Sequence, residues 1–207
     1  MRSMNLRNTV LLMTIVLSVC ASYAQSPASS TTGSSDNLAA LTQTVTRFEN
    51  NIVSLAEAMP ADKYNFAPSN DLFKPGSHAQ FDTVHTFSWQ VTHLCALPYR
   101  VFAPFGVKPD TDVDPKSFDS LKSKDEIIKA LKASFDYQNK VIASFTPENV
   151  MAPVGPRNAT RIASLVLVLG DDGDHYGQMV EYGRMNGVIP PATANQGQRP
   201  AAPPAQK

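Results

Sequence analysis

The segment from Leu165 to Pro191 (LVLVLGDDGDHYGQMVEYGRMNGVIPP) constrains the fold of this chain more than any other. It begins with an apolar run that has no polar face, which predicts that at least the first turns of a helix are buried. Asp171 and His175 follow at a spacing that places two side chains on one face of a helix. Gly187 and Pro190 are typical of a helix end. We therefore predict a buried helix that carries two metal-type ligands toward the centre of a bundle.

Three further segments place apolar residues at helical spacing, and each is bounded by start or stop signals. The predicted helices span about residues 36–59, 83 or 86 to 102, 123–145 and 158 or 160 to 186. Ser123 and Glu126 form the pattern of a capping box, and Pro98 within the second helix predicts a kink. Four amphipathic segments without a strand pattern predict an all-α fold, a four-helix bundle.

The connection between the first two helices, Ala61 to Asp82, is long and is interrupted by Pro68, Pro75 and Gly76. Connections of this length are uncommon in compact domains and often border a functional site. Tyr64 and Phe66 supply apolar anchors, so we expect them to hold the connection on the bundle.

The two ends of the chain differ in composition from its centre. Residues 1–24 have the basic start, short apolar run and small residues before Gln25 that are typical of a secretory signal peptide. Residues 25–35 are predicted to be a flexible linker, and residues 192–207, rich in Pro and Ala, a disordered tail. Residues 36–191 then form one domain, in the periplasm or secreted and without a stable membrane span. Cys20 offers a lipoprotein anchor as a less favoured alternative, since Val19 is large for the position before a lipidated cysteine.

The charge argues against a nucleic-acid-binding protein, and the cysteine content argues against a fold held together by disulfides. The formal net charge is zero and no basic stripe with interleaved aromatic residues occurs, which argues against nucleic-acid binding. The chain has 2 cysteines, and signal cleavage would leave Cys95 alone. We expect Cys95 to be a small core residue, and the fold to depend on packing without a disulfide.

Two histidines lie beside core positions, His93 on the second helix and His175 on the fourth. With Asp171 they form a two-histidine, one-carboxylate set that suits a divalent metal ion such as zinc, nickel or iron. A set of three protein ligands favours an open, reactive metal over a closed structural site. We expect His78 and His85 to face solvent.

Another interpretation of the acidic residues remains open. Asp171, Asp172 and Asp174 are also compatible with a solvated acidic turn. Gly170 and Gly173 weaken a helix at this point, and a break there would separate Asp171 from His175. Each histidine is then a hydrogen-bonded core or surface residue without a metal.

The segment quoted above resembles the closing helix of DinB/YfiT-like proteins, in which H-x-x-x-H-Y-G is followed by Y-L-R-x-x-G-x-x-P-P. The earlier stretch MPADKYNFAPSNDLFKPGSHAQFDTVHTFSWQVTHLCALPYRVF is similar to the first loop and second helix of that family, P-A-E-K-Y-x-F-x-P and T-F-x-x-x-x-x-H. The resemblance covers about residues 38–193. It implies a four-helix bundle in which three histidines hold a metal ion.

His93 and His175 match the first and third of those histidines, but the middle position holds Asp171. Aspartate binds the same metals with a shorter, charged side chain, so this departure implies a different metal, weaker binding or an empty site. Relatives include thiol-dependent transferases and isomerases that act on small molecules. The resemblance thus implies a metal-dependent transferase or hydrolase with an unidentified substrate, although export separates it from cytosolic thiol cofactors. The alternative is a non-enzymatic metal- or ligand-binding bundle with a degenerate site. Family bundles often pair, which implies a possible homodimer.

Overall fold

Four long helices form most of the fold in the computed structural model, which describes residues 31–76, 78–156 and 158–198. They are α1 (Thr31–Ala58), α2 (Phe87–Val101), α3 (Lys124–Ala143) and α4 (Arg161–Met185), followed by a short helix α5 (Pro191–Ala194). Helix α2 packs against α3 and α4, and α1 packs against the same two helices. The fold is mostly helical, as predicted.

Short elements occupy the connections. In the described ranges, five 3-10 helices span Ala61–Lys63, Asn70–Leu72, Ala103–Phe105, Pro115–Ser120 and Asn195–Gln198. The sequence pattern contains no strands, yet β1 (Pro153–Val154) and β2 (Ala159–Thr160) form a small antiparallel pair, with Pro153 opposite Thr160. Two residues per strand are too few to produce an alternating pattern, which explains why the prediction missed this pair.

Capping residues set the starts of three helices. The Thr86 hydroxyl accepts a hydrogen bond from the amide of Trp89, and Thr160 does the same for Ala163. The capping box predicted at Ser123 and Glu126 is confirmed, because each side chain satisfies the backbone amide of the other. These caps satisfy amides that have no partner within the helix, and so define where α2, α3 and α4 begin.

Helix α4 is continuous through Gly170 and Gly173, so the break considered as an alternative does not occur. It ends as predicted: Gly187 has a φ of 77°, a left-handed conformation that glycine adopts without strain, and the amide of Val188 donates to the carbonyl of Gly183 at 2.9 Å. An unbroken α4 keeps residues 171 and 175 on one face.

The prediction that the apolar start of α4 is buried is only half correct. Leu165 and Val168 are fully buried, whereas Val166 and Leu167 are 58% and 59% exposed. Only residues at helical spacing reach the core, and the buried series continues through Asp172, His175 and Met179. A run of apolar residues in the sequence therefore overstates the burial of this helix.

The connection after α1 is anchored as predicted. Tyr64 is buried, and its hydroxyl donates to the carbonyl of Ala56 at 2.6 Å. Phe66 packs edge-on against Tyr182 with ring centroids 5.7 Å apart. The backbone carbonyls of Tyr64 and Phe66 accept hydrogen bonds from the first amides of α2, at Ser88 and Phe87. The connection thus fixes the N-terminal end of α2, the helix that carries His93.

Both ends of the described chain are more helical than predicted. Helix α1 begins at Thr31, within the predicted linker, and residues 191–198 form α5 and a 3-10 helix that extend into the predicted tail of residues 192–207. Pro191 is suited to the first position of a helix, and α5 packs against α1, which accounts for the order at this end. The predicted signal peptide at 1–24 and the rest of the predicted tail lie outside the described residues. In the ranges that the structure describes, no helix combines the length and apolar character needed to cross a bilayer.

Candidate metal centre

The structure brings together the three residues predicted as metal ligands. The Nε2 atom of His93 on α2 lies 3.0 Å from Oδ2 of Asp171 on α4. The Nε2 atom of His175 lies 3.8 Å from Oδ1 of the same carboxylate, and the two imidazole rings have centroids 4.5 Å apart. Within the described part of the chain, this is the one group of three histidine, cysteine or acidic side chains whose ligand atoms all lie within 4.8 Å of one another.

The centre opens to solvent on one side. The side chain of His175 is only 9% exposed, whereas those of His93 and Asp171 are 23% and 33% exposed. The buried imidazole belongs to the inward face of α4, and Asp171, one turn earlier, lies at the edge of that face. The exposed parts of His93 and Asp171 mark the side on which an open metal site would accept a further ligand.

A buried glutamine orients His175. The Nδ1 atom of His175 is hydrogen-bonded to Oε1 of Gln90, which is 1% exposed and lies one turn before His93 on α2. The amide of Gln90 in turn donates to Oε1 of Gln178 at 2.9 Å. An amide oxygen can only accept, so Nδ1 of His175 carries the proton and Nε2 presents its lone pair toward Asp171.

The electrostatic setting favours a neutral His175. Burial lowers the pKa of His175 below its ordinary value, the nearby His93 lowers it further, and the Asp171 carboxylate opposes both. Neutral imidazole is the form that binds a metal ion. At neutral pH, His175 is thus in the correct protonation state for a ligand.

The residues present fit a divalent metal ion. Ligand atoms bound to a tetrahedral zinc ion at about 2.0–2.1 Å lie about 3.3–3.4 Å apart. The two separations measured from the Asp171 carboxylate, 3.0 and 3.8 Å, lie on either side of that value. Two imidazole nitrogens and a carboxylate suit zinc, nickel or iron. The role of the three residues as ligands stays a prediction.

Aromatic side chains line the solvent side of the centre. The indole of Trp89 stacks on the imidazole of His93 with centroids 4.9 Å apart and lies 5.8 Å from that of His175. His85 stacks on Trp89, with centroids 3.5 Å apart and rings nearly parallel. His85 and His78 are exposed, as predicted. Trp89 therefore limits the freedom of the His93 ring.

Cys95 is not part of the centre. It is a free, fully buried cysteine, and its thiol faces the carbonyl of Ile127 at 3.8 Å. Burial raises the pKa of this thiol, so it is not a thiolate near neutral pH. The expectation that Cys95 is a core residue is confirmed.

Sequence reasoning missed two buried acids outside this centre. Glu49 on α1 accepts hydrogen bonds at 2.9 Å from the side-chain amides of Gln138 and Asn139 on α3. Asp172 was considered as part of a solvated turn, but it is only 1% exposed. Burial raises the pKa of Asp172 to about 8, with smaller contributions from the negative charges of Glu49 and Asp171. Burial raises the pKa of Glu49 as well.

A positional signal for Gln90 and Asp172 exists in the sequence. Both fall on the apolar stripe of an amphipathic helix, where a polar side chain is expensive to bury and needs a partner. Their partners, however, come from other helices and are distant in the sequence. A single sequence shows that such residues are unusual but does not show what they contact.

Comparison with known proteins agrees with this architecture. The sequence profile of the DinB superfamily matches residues 44–179, about two thirds of the chain. A crystal structure of a DinB-like protein from Bacillus cereus ATCC 10987 is similar, with a TM-score of 0.57 and 12% sequence identity, covering 72% of this chain and 92% of that chain. At this identity the likeness concerns the fold alone. No curated protein sequence matches this chain. The extent of the profile match shows that the chain belongs to the DinB superfamily.

Proposed function

We propose that this protein binds one divalent metal ion through His93, Asp171 and His175 in a four-helix bundle, and uses it in a transfer or hydrolysis reaction on a small molecule. The observation that carries the proposal is the meeting of the three side chains from two helices, with their ligand atoms within 4.8 Å of one another. Packing does not require these three polar side chains to meet, because apolar residues form the core.

The protein's own residues supply the positioning. Gln90 fixes the tautomer and ring orientation of His175, and Trp89 restrains His93 on the solvent side. The fixed orientation of these rings lowers the entropy lost when a metal ion binds, as in other centres where outer hydrogen bonds hold the ligands. A divalent metal bound here would lower the pKa of a water or thiol and so provide a nucleophile at neutral pH.

Export favours water over a cytosolic thiol as the nucleophile. Residues 1–24 have the pattern of a cleaved signal peptide, which supports a periplasmic or secreted protein. Low-molecular-weight thiol cofactors form cytosolic pools, so an exported enzyme would lack a steady supply of them. Within this proposal, metal-dependent hydrolysis is therefore the preferred reaction.

One observation favours a second candidate function, a non-enzymatic metal- or ligand-binding bundle. The position that matches the middle histidine of the family is Asp171, whose carboxylate lies 3.0 Å from His93. A carboxylate and a protonated imidazole satisfy each other without a metal ion. In that case the centre is a structural ion pair derived from a metal site.

Metal analysis of the purified mature protein distinguishes the two functions. The first predicts one equivalent of zinc, nickel or iron per chain, which is lost in the variants His93→Ala and His175→Ala. His78→Ala is the matched control, because His78 is exposed on the loop before α2 and is remote from the cluster in the sequence. Absence of metal at neutral pH, with no change of melting temperature on adding zinc or nickel, would contradict metal binding and favour the second function.

A further inference from the structure

A chain of three hydrogen bonds runs from the surface of α4 to His175. The side-chain amide of Gln178 donates to Oδ2 of Asp174 at 3.0 Å. The amide of Gln90 donates to Oε1 of Gln178 at 2.9 Å, and its own oxygen is hydrogen-bonded to Nδ1 of His175. Asp174 is exposed, whereas Gln90 is only 1% exposed. The chain of hydrogen bonds thus connects an exposed carboxylate to a buried predicted metal ligand.

Two glutamines in series allow this chain two opposite directions. A glutamine side chain has an oxygen acceptor on one side and an NH₂ donor on the other, and half a rotation exchanges them. If both Gln90 and Gln178 were turned, Nδ1 of His175 would face a donor and would have to accept. The proton of the imidazole would then lie on Nε2, the nitrogen that faces Asp171. The tautomer of His175 therefore depends on which way the two amides point.

The other neighbours of His175 and Gln90 do not select a direction. Burial raises the pKa of Tyr182, and a hydrogen bond with Gln90 lowers it, so this phenol is a further partner of the amide. A hydroxyl both donates and accepts, and so satisfies either orientation of Gln90. On the far side of the ring, Nε2 of His175 lies 3.8 Å from Oδ1 of Asp171, which is too far for a hydrogen bond.

Asp174 selects the direction, because a carboxylate has no hydrogen to donate. Gln178 must turn its NH₂ group toward Asp174, and its oxygen then faces Gln90. Gln90 must turn its own NH₂ group toward that oxygen, which leaves its oxygen for Nδ1 of His175. From this geometry we infer that Asp174 is a positioning residue for His175. It acts through Gln178 and Gln90 to hold the proton on Nδ1 and keep the lone pair of Nε2 free for a metal ion.

The effect on metal binding rests on the proposed function. A histidine binds a metal ion through an unprotonated ring nitrogen, so a tautomer fixed in advance removes the need to move a proton when the ion arrives. The position of the proton, in contrast, is a property of the metal-free chain. The two can therefore be measured separately.

The test uses the full mature chain with ¹⁵N-labelled histidine after removal of metals with a chelator. Long-range proton–nitrogen NMR spectra distinguish a protonated ring nitrogen from an unprotonated one, and loss of signals in His175→Ala assigns His175. We expect Nδ1 to carry the proton in the parent chain. The ammonium introduced by Asp174→Lys can only donate, which reverses both amides, so we expect the proton on Nε2 in a large fraction of molecules. The exposure of Asp174 makes this change compatible with folding.

Two matched variants separate the direction of the hydrogen bonds from the change of charge. Glu181→Lys makes the same change of charge at an exposed position of α4 and should leave the proton on Nδ1. Adding Gln178→Glu to Asp174→Lys places a group that only accepts beside Gln90, and should return the proton to Nδ1. A role of Asp174 in helix stability alone predicts no such return.

Competition with a chromophoric chelator then measures the effect on zinc affinity. We expect Asp174→Lys to bind zinc about 10- to 100-fold more weakly than Glu181→Lys, with recovery when Gln178→Glu is added. Failure of the parent chain to bind zinc would contradict the proposed function alone, because the spectra decide the role of Asp174 independently. The inference is overturned if Asp174→Lys leaves the proton on Nδ1 as in the parent chain. It is also overturned if Glu181→Lys moves the proton equally, or if the added Gln178→Glu does not return it.

Discussion

The Nδ1 atom of His175 is hydrogen-bonded to the side-chain oxygen of Gln90, a residue on a different helix. This contact fixes which ring nitrogen of His175 faces His93 and Asp171. It also ties the two halves of the centre together, because Gln90 lies on the same helix as His93.

Replacing Gln90 tests whether it positions a metal ligand. We expect Gln90→Leu to lower metal affinity by about 10- to 100-fold, the usual effect of removing a hydrogen bond that orients a ligating histidine. Gln90→Glu keeps an acceptor for Nδ1 and should retain most of the affinity. Competition with a chromophoric chelator measures both. Equal affinity in Gln90→Leu and the parent chain would show that this contact only fills the core.

Asp171 is the residue at which the centre differs from the family pattern, which has a histidine at this position. We expect Asp171→Ala to weaken metal binding at least tenfold, because it leaves two protein ligands. Asp171→His restores three imidazoles and should bind zinc or nickel at least as tightly as the parent, since neutral nitrogen ligands suit both metals. Calorimetric titration of the two variants provides the comparison. Unchanged binding in Asp171→Ala would exclude this carboxylate as a ligand.

The pKa of Glu49 makes stability depend on pH. Burial is the largest cause of its raised pKa, the Asn139 and Gln138 hydrogen bonds oppose it, and the charge of Asp136 adds to it. A carboxyl with a raised pKa binds more protons in the folded state, so it lowers the free energy of unfolding as pH rises above about 4.5.

In chelator-treated protein, we therefore expect Glu49→Gln to lose less stability than the parent chain between pH 4 and pH 8. Asp172 has the same sign of shift, so part of the slope should remain in this variant. Urea unfolding at a series of pH values measures the slope. Glu181→Gln, at an exposed position of α4, is the control. Parallel slopes for Glu49→Gln and the parent would contradict the raised pKa.

Two leucines near the start of α4 provide a matched test of the packing. Leu165 is fully buried and Leu167 is 59% exposed. We expect Leu165→Ala to lower the free energy of unfolding by about 2–5 kcal/mol, because it leaves a cavity in the core. Leu167→Ala should change it by no more than about 0.5 kcal/mol. Equal losses in denaturant unfolding would mean that both side chains are covered in solution.

The sequence was informative where local chemistry decides the structure. The capping box at Ser123, the glycine that ends α4 and the anchors at Tyr64 and Phe66 all act over a few residues, and each was predicted. The choice of His93, Asp171 and His175 began from their positions on two helices, and a family resemblance supported it in place of knowledge of how distant helices pack. No local pattern could pair Gln90 with His175.

The remaining differences arise from tertiary packing. Val166 and Leu167 belong to an apolar run, but only residues at helical spacing reach the core. Asp172 is in an acidic segment that resembles a solvated turn, yet the orientation of α4 buries it. Residues 192–198 are rich in Ala and Gln, and their order depends on contact between α5 and α1. In each case a neighbouring helix determines the environment.

The central claim is that His93, Asp171 and His175 hold one metal ion. Crystals of the mature protein soaked in zinc and measured at the zinc absorption edge test this claim most directly. The account predicts one strong anomalous peak within about 2.0–2.2 Å of Nε2 of His93, an oxygen of Asp171 and Nε2 of His175. A fully soaked crystal with no peak between these three side chains, or with the carboxylate of Asp171 still bonded to His93, would contradict it.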